Sequence, residues 1–154
     1  MCVIAAMFFR RIVMRKIEVD HITLGDKTYP AYCDLRVLEQ LQDEYETITK
    51  YERALLGQKI VYDADGNPER ADDGTIVKET TEQSVHAIVK GLYLMIREGQ
   101  RIEGETDLIT EDDIYEMQIN VILLKMVVHG LFMKCFDVKK KDSDVTSRKM
   151  KKRN

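Results

Sequence analysis

The sequence has no Gly-rich phosphate loop, no nucleophile elbow, no HExxH pair and no Cys/His cluster. The common phosphate-binding, hydrolytic and zinc chemistries therefore leave no local signature in it. Acids are plentiful but scattered over faces expected to meet water, and scattered acids do not make a catalytic pair. Cysteine is sparse: Cys2, Cys33 and Cys135 are odd in number, far apart and without CxxC spacing. They suggest neither a disulfide framework nor a zinc module and read as reduced cytoplasmic thiols. A secretory signal is missing too, because the apolar run from Cys2 to Phe9 is followed, and not preceded, by Arg10-Arg11. That run is also too short to span a bilayer. No catalytic residue, metal or cofactor is implied, and the expected class is a binding protein, not an enzyme.

What is present fits one domain. The chain has 154 residues, 44% apolar and 33% charged, enough to bury a core of its own. A net charge of -3 hides an asymmetry: residues 139–154 hold eight Lys/Arg against two Asp, which leaves -9 for residues 1–138. Three parts are expected. Residues 1–13 read as an upstream extension of the reading frame, with Met14-Arg15-Lys16 as an ordinary bacterial start; an AGG-AGG encoding of Arg10-Arg11 would be its ribosome-binding site. Residues 14–138 form the domain, and residues 139–154 form a disordered basic tail.

Within the domain, alternating apolar residues in 17–24 and 28–32 flank Gly25-Asp26-Lys27 and predict a β-hairpin, with Pro30 confining the second strand to an edge. Asp34 stands at an N-cap position. Leu35, Leu38, Leu41, Tyr45, Ile48 and Leu55 then recur at helical spacing and predict one amphipathic helix ending near Gly57. Residues 58–79 predict a projecting second hairpin, built on 59–62 and 75–78. Its Asp63, Asp65 and Asn67 match the opening of a calcium loop, but Pro68 replaces the required Gly and Gly74 stands where the closing Glu belongs. A plain acidic turn is the better reading.

Thr80 and Gln83 form a capping-box pattern and predict a second helix through Val85, Ile88, Leu92 and Ile96 to Gly99, with His86 on its polar side. Thr110 followed by three acids predicts the start of a third helix running to Phe136. Gly91 and Gly130, inside helices, each cost about 1 kcal/mol relative to Ala and predict close helix contacts. The third helix is apolar nearly all round, which exceeds what one core face uses. It could be a buried central helix, offer one face to a partner, or enter a membrane. Asn120, Lys125, His129 and Lys134 cut the run below the ~20 residues a span needs and weigh against the last.

The order of these pieces is informative: Ile17-x-Val19-x-x-Ile22-x-Leu24-Gly25-Asp26-Lys27-x-Tyr29, then Asp34-Leu35-x-x-Leu38-Glu39-x-Leu41, then further helices after a polar insertion. Together with the segment from Gly91 to Gly99, it resembles the tail assembly chaperones of long-tailed bacteriophages and of prophages in Gram-positive hosts. The resemblance runs from Lys16 to Phe136. It implies a protein that binds apolar segments of the tape-measure protein, keeps that chain soluble and helps recruit tail-tube subunits. It also implies two product lengths through frameshifting, for which Lys139-Lys140-Lys141 would offer a slippery site. The family is recognised by architecture, so no functional residue is carried over.

The expected fold is therefore α+β, mostly helical, with an N-terminal hairpin on a three-helix core and an inserted second hairpin. The client surface is placed on Ile122, Met126 and Met133, with Leu38, Leu41 and Tyr45 as neighbours that belong either to it or to the core. Met supplies adaptable apolar surface of the kind that covers amphipathic helices. Homo-oligomers are compatible with this reading. A regulatory or nucleic-acid-binding role through the basic tail is the rival; the acidic body argues against it, since DNA-reading domains concentrate Lys/Arg on a folded face.

Overall fold

The computed structural model describes residues 17–137. The expected extension, residues 1–13, and the basic tail, residues 139–154, lie outside the described residues, as does Cys2. The fold is α+β, with five helices and two small antiparallel sheets among the described residues.

β1 (Asp20–Leu24) and β2 (Lys27–Ala31) pair through a two-residue turn, with Leu24 opposite Lys27. Alternation turns Tyr29 and Ala31 of β2 into the core. They meet α3 (Val85–Glu103), the central helix, which buries Ile88, Leu92, Met95 and Ile96 almost completely. Tyr32 N–H extends that seam by donating to the Met95 carbonyl at 2.9 Å.

The first predicted helix is two helices, α1 (Leu35–Tyr45) and α2 (Ile48–Leu56). Asp34 caps α1 as expected, accepting from Arg36 N and Val37 N. The chain then breaks at Glu46, whose φ is 66°, and Thr47 caps α2 by accepting from Lys50 N at 3.1 Å. The apolar repeat could not show this break, because Tyr45 and Ile48 stay in phase across it. The elbow lets Leu41 of α1 and Tyr51 and Leu55 of α2 reach the same core. Val37 takes the buried position in α1's first turn, and Leu35 is 79% exposed.

The insertion follows as β3 (Gln58–Ile60) and β4 (Lys78–Thr80), shorter and nearer the core than expected. Beyond them three segments close on one another. Val61 N–H donates to the Val77 carbonyl, Glu69 N–H to that of Val61 and Val77 N–H to that of Glu69. The acids serve turns: Asp63 Oδ1 accepts from the backbone N–H groups of Asp65 and Asn67, at 3.0 and 2.9 Å.

α3 starts at Val85, not Thr80, because Thr80 is held in β4 and Thr81 N–H is bound to the Gly57 carbonyl. Ser84 is the actual cap, accepting from Ala87 N at 3.2 Å. The helix also runs past Gly99 to Gly104, which ends it at a φ of 73°. Gly99 is internal, where a Cβ would sit 2.5–2.6 Å from three backbone atoms of Pro30 and Ala31. It is the point at which hairpin and helix touch backbone to backbone.

The last predicted helix is also divided. Thr110 and Asp113 form a reciprocal capping box on α4 (Glu111–Glu116), Met117 leaves helical geometry, and Asn120 caps α5 (Val121–Lys134) by accepting from Ile122 N and Leu123 N. The Asn120 side chain offers the backbone an alternative to continuing the helix. α5 packs on α2 and α3. There Phe132 meets Tyr51 edge to face at 5.4 Å, and Val128 lies 3.0 Å from where a Gly91 Cβ would be. The expectation of a close helix contact therefore holds at Gly91, where that Cβ would also lie 1.9 Å from Tyr51 Oη. It fails at Gly130, where no atom of the described residues lies within 4 Å of such a Cβ.

Two core features carry predictions. Tyr51 is fully buried, and its hydroxyl, like that of Tyr45, has no hydrogen-bond partner among the described residues. Burial pushes both phenols up, Tyr45 to about 12. Tyr51→Phe removes a donor that lost its water without compensation, so chemical denaturation should show a gain of about 1 kcal/mol.

Glu98 is the other feature. It is a buried carboxylate bonded by Arg101, whose Nε lies at 2.9 Å, with Arg36 at 3.9 Å. Arg101's hydrogen bonds, outweighing desolvation, hold it below the usual carboxylate range. The stability it contributes is therefore present above its unfolded pKa and is lost as pH falls through the folded one. Asp34 runs the other way, raised first by its own desolvation and then by Glu98, and so favours the fold only in acid. Glu98→Gln should cost about 1 kcal/mol at pH 7 and progressively less in denaturation curves below the carboxylate range.

Although far apart in sequence, Cys33 and Cys135 come close enough in the fold to influence one another, and burial is the main cause pushing both thiols up. Both are free thiols.

Candidate functional site

An α-helix that packs against a core on one side normally turns a polar face outward. α5 does not. Leu124, Val128, Leu131 and Phe132, at four-, three- and one-residue steps, form its buried face. On the opposite side Ile122, Leu123 and Met126 are 59%, 60% and 64% exposed, and Met133, further along the same stripe, is 43% exposed. Gly130 lies among them, and Val127 widens the stripe. The result is an apolar ledge on the order of 500 Å², at the upper end of what a monomeric surface ordinarily shows.

The helix's polar residues are turned to the sides and occupied. Lys125 Nζ donates to Gln83 Oε1 at 3.2 Å, His129 Nε2 lies 3.5 Å from Glu52 Oε1, and Lys134 pairs with Asp20 of β1. These contacts fix how α5 is rotated about its axis, and so which side faces out. Phe136, just past the helix, stacks edge to face on Phe132 at 5.1 Å and is half exposed at the ledge's end.

Of the six residues named from sequence, the structure brings Ile122, Met126 and Met133 together on this ledge. The other three lie elsewhere. Leu41 is fully buried in the core between α1 and α3, and Tyr45 is half-buried at the α1–α2 elbow, 5.2 Å edge to face from Tyr51. Leu38 lines a shallow groove with Leu35 and Ile48, rimmed by Arg36, Glu39, Gln42 and Asp43. That groove is a smaller apolar surface, interrupted by charge. Leu123 and Gly130 were missed as members of the ledge. A helical wheel places both on the side of Met126, and which side of α5 turns outward is set by its packing on α2 and α3.

Nothing in the ledge is suited to chemistry: it has no nucleophile, no acid and no base. His86 on α3 faces Glu44 of α1, which Lys90 also pairs at 3.4 Å. His86 and Lys90 hold Glu44 below the usual carboxylate range against desolvation, the largest single influence on it and one that acts the other way. Among the described residues no group of three or more His, Cys, Asp or Glu is placed to hold a metal ion, and no helix is long and apolar enough to cross a membrane. Compared with protein-family models, with curated proteins and with solved structures, the chain finds no match in any of the three.

Proposed function

We propose that this protein is a tail assembly chaperone of a long-tailed phage or prophage, acting in the bacterial cytoplasm. It covers apolar helical segments of the tape-measure protein and delivers that chain to tail-tube subunits. Catalysis has no part in this reading. The observation that carries it is the outward face of α5, where Ile122, Leu123, Met126 and Met133 remain exposed although the domain has a complete core beneath them. An amphipathic helix laid along α5 would bury its own apolar stripe against this ledge, with Met126 and Met133 adapting to different sequences. The resemblance in hairpin, first helix and central helix supplies the identity of the client.

The test is co-expression of the full chain with a phage tape-measure protein, the client that the proposal names. The proposal expects that protein to move from the insoluble to the soluble fraction and to co-elute with the chain. A client that stays insoluble, or is equally soluble without the chain, counts against it.

A further inference from the structure

Charge is divided unevenly along the chain. Residues 17–137 hold 25 Asp/Glu against 12 Lys/Arg, and residues 139–154 hold eight Lys/Arg against two Asp. Opposite charges on one chain attract, but an acidic body alone gives the basic segment no address. The groove on α1 gives one. Leu35, Leu38 and Ile48 form its apolar floor, Leu35 being 79% exposed, and Glu39 and Asp43 stand on the rim one helical turn apart. Arg36, the rim's cation, is drawn toward Glu98 at 3.9 Å, whereas Glu39 and Asp43 are exposed and make no ion pair among the described residues. The rim is left net negative above an uncovered leucine.

We propose that this groove is the docking site of the chain's own basic C-terminal segment, with Met150 on the apolar floor and the cations around it at Glu39 and Asp43. The inference is independent of the reading of α5. Position is the first reason for this occupant: α5 ends beside the start of α1, because Cys135 comes close to Cys33 and Asp34, and Leu35 follows at once. The chain therefore leaves the described residues at Asp137 near the first turn of α1. Length is the second. From Asp137 to Met150 the chain advances 13 residues, which can extend to roughly 40 Å, whereas the 11 residues of α1 span about 16 Å. Composition is the third, since Arg148-Lys149-Met150-Lys151-Lys152-Arg153 sets one adaptable apolar side chain among five cations. An apolar floor under a negative rim is its complement.

Exposed ion pairs contribute little singly, and one methionine buries a modest area. Tethering makes up the difference, because a segment of the same chain meets its site at an effective concentration near the millimolar range. Docking is therefore reversible and weakens as salt screens the rim. While docked, the segment shields Leu35 from water and is withheld from other acidic surfaces.

Carbodiimide coupling of the full chain, read by peptide mass spectrometry, tests this by joining lysine amines to carboxylates in contact, with the Lys50–Glu46 pair as internal standard. At low salt, Lys149, Lys151 and Lys152 should couple to Glu39 and Asp43 about fivefold more than to Asp65 and Asp72, which are also exposed, and about fivefold less in about 0.5 M salt. Leu35→Ser and Met150→Ser change no charge and should each lower these adducts about threefold. Leu35→Ser should melt as the parent does, since the side chain it removes is exposed. Mixing unlabelled with isotope-labelled chains tells adducts within a chain from adducts between chains. Adducts missing while the standard forms, spread evenly over the acids, or indifferent to both serine substitutions overturn the proposal. So do adducts between chains, which put a second copy in the groove, and coupling of Glu39 or Asp43 to Lys16, which assigns it to the N-terminal residues.

Discussion

Gly99→Ala should unfold about 3 kcal/mol more easily than the parent, one of the largest losses available from adding a single methyl group to this chain. In an exposed helix the same change would gain up to ~1 kcal/mol, because alanine is the better helix former. Here the new Cβ would stand 2.5 Å from the Pro30 carbonyl carbon and 2.6 Å from both Ala31 N and the Pro30 oxygen. No side chain can rotate away to relieve that contact. β2 itself would have to lift off α3, breaking the Tyr32 to Met95 bond and unpacking Tyr29 and Ala31. Gly130→Ala makes the control, since the identical chemical change in open space should be stabilising by about 1 kcal/mol. Urea denaturation of the two variants should therefore show shifts of opposite sign. Equal effects would mean that the hairpin does not rest on the central helix at Gly99.

The second large effect concerns binding. Ile122→Asp and Met126→Asp should each weaken client capture about 100-fold, because an aspartate pressed into an apolar interface must be stripped of water with no partner. Stability should barely move. Both side chains are more than half exposed, and at Ile122 a carboxylate sits in the first turn of α5, where the helix dipole favours it. Separating binding from folding is what makes these substitutions informative. A core residue of α5 such as Phe132 would lose both together, as would Leu41, the one residue assigned from sequence to the client surface that is fully buried. Leu35→Asp carries the same charge to an exposed leucine outside the ledge and should bind as the parent does. If it were as harmful as Met126→Asp, the added charge and not the α5 face would be responsible.

The sequence revealed the apolar character of α5 but not its limits. Ile114 to Met133 reads as one helix because apolar residues recur through Met117 and Ile119 up to Asn120 and resume at once at Val121. In the fold Asn120 is a cap, and the link before it changes the direction of the chain. Likewise the stripe from Leu35 to Leu55 is continuous in spacing, and a single left-handed residue, Glu46, with Thr47 behind it, turns it into two helices. Periodicity reports which residues can share a face. It is blind to a break that preserves the phase.

The hairpin, the caps at Asp34 and Thr110 and the close contact at Gly91 were legible because each depends on neighbours in sequence or on a residue type with few uses. The true start of α3 was not. Thr80 and Gln83 have the form of a capping box, and what disqualifies them is the pairing of Thr80 with Gln58 and of Thr81 with Gly57, some twenty residues away. The meeting of Cys33 and Cys135 was hidden for the same reason. Membership of the ledge was half legible: Ile122, Met126 and Met133 follow from spacing along α5. Leu38, Leu41 and Tyr45 could not be placed, because their exposure depends on how the elbow presents α1 to α3. Gly130 is unusual in a helix interior, but that no described residue packs against it is something only the fold shows.

The most direct measurement is site-specific photo-crosslinking of the full chain to its co-expressed client, with a photoreactive residue placed in turn at Ile122, Met126 and Met133, and at Leu35 and Tyr62 as exposed positions elsewhere. The account predicts client adducts from the three α5 positions and none from the other two. Adducts from Leu35 or Tyr62 with α5 silent would contradict it.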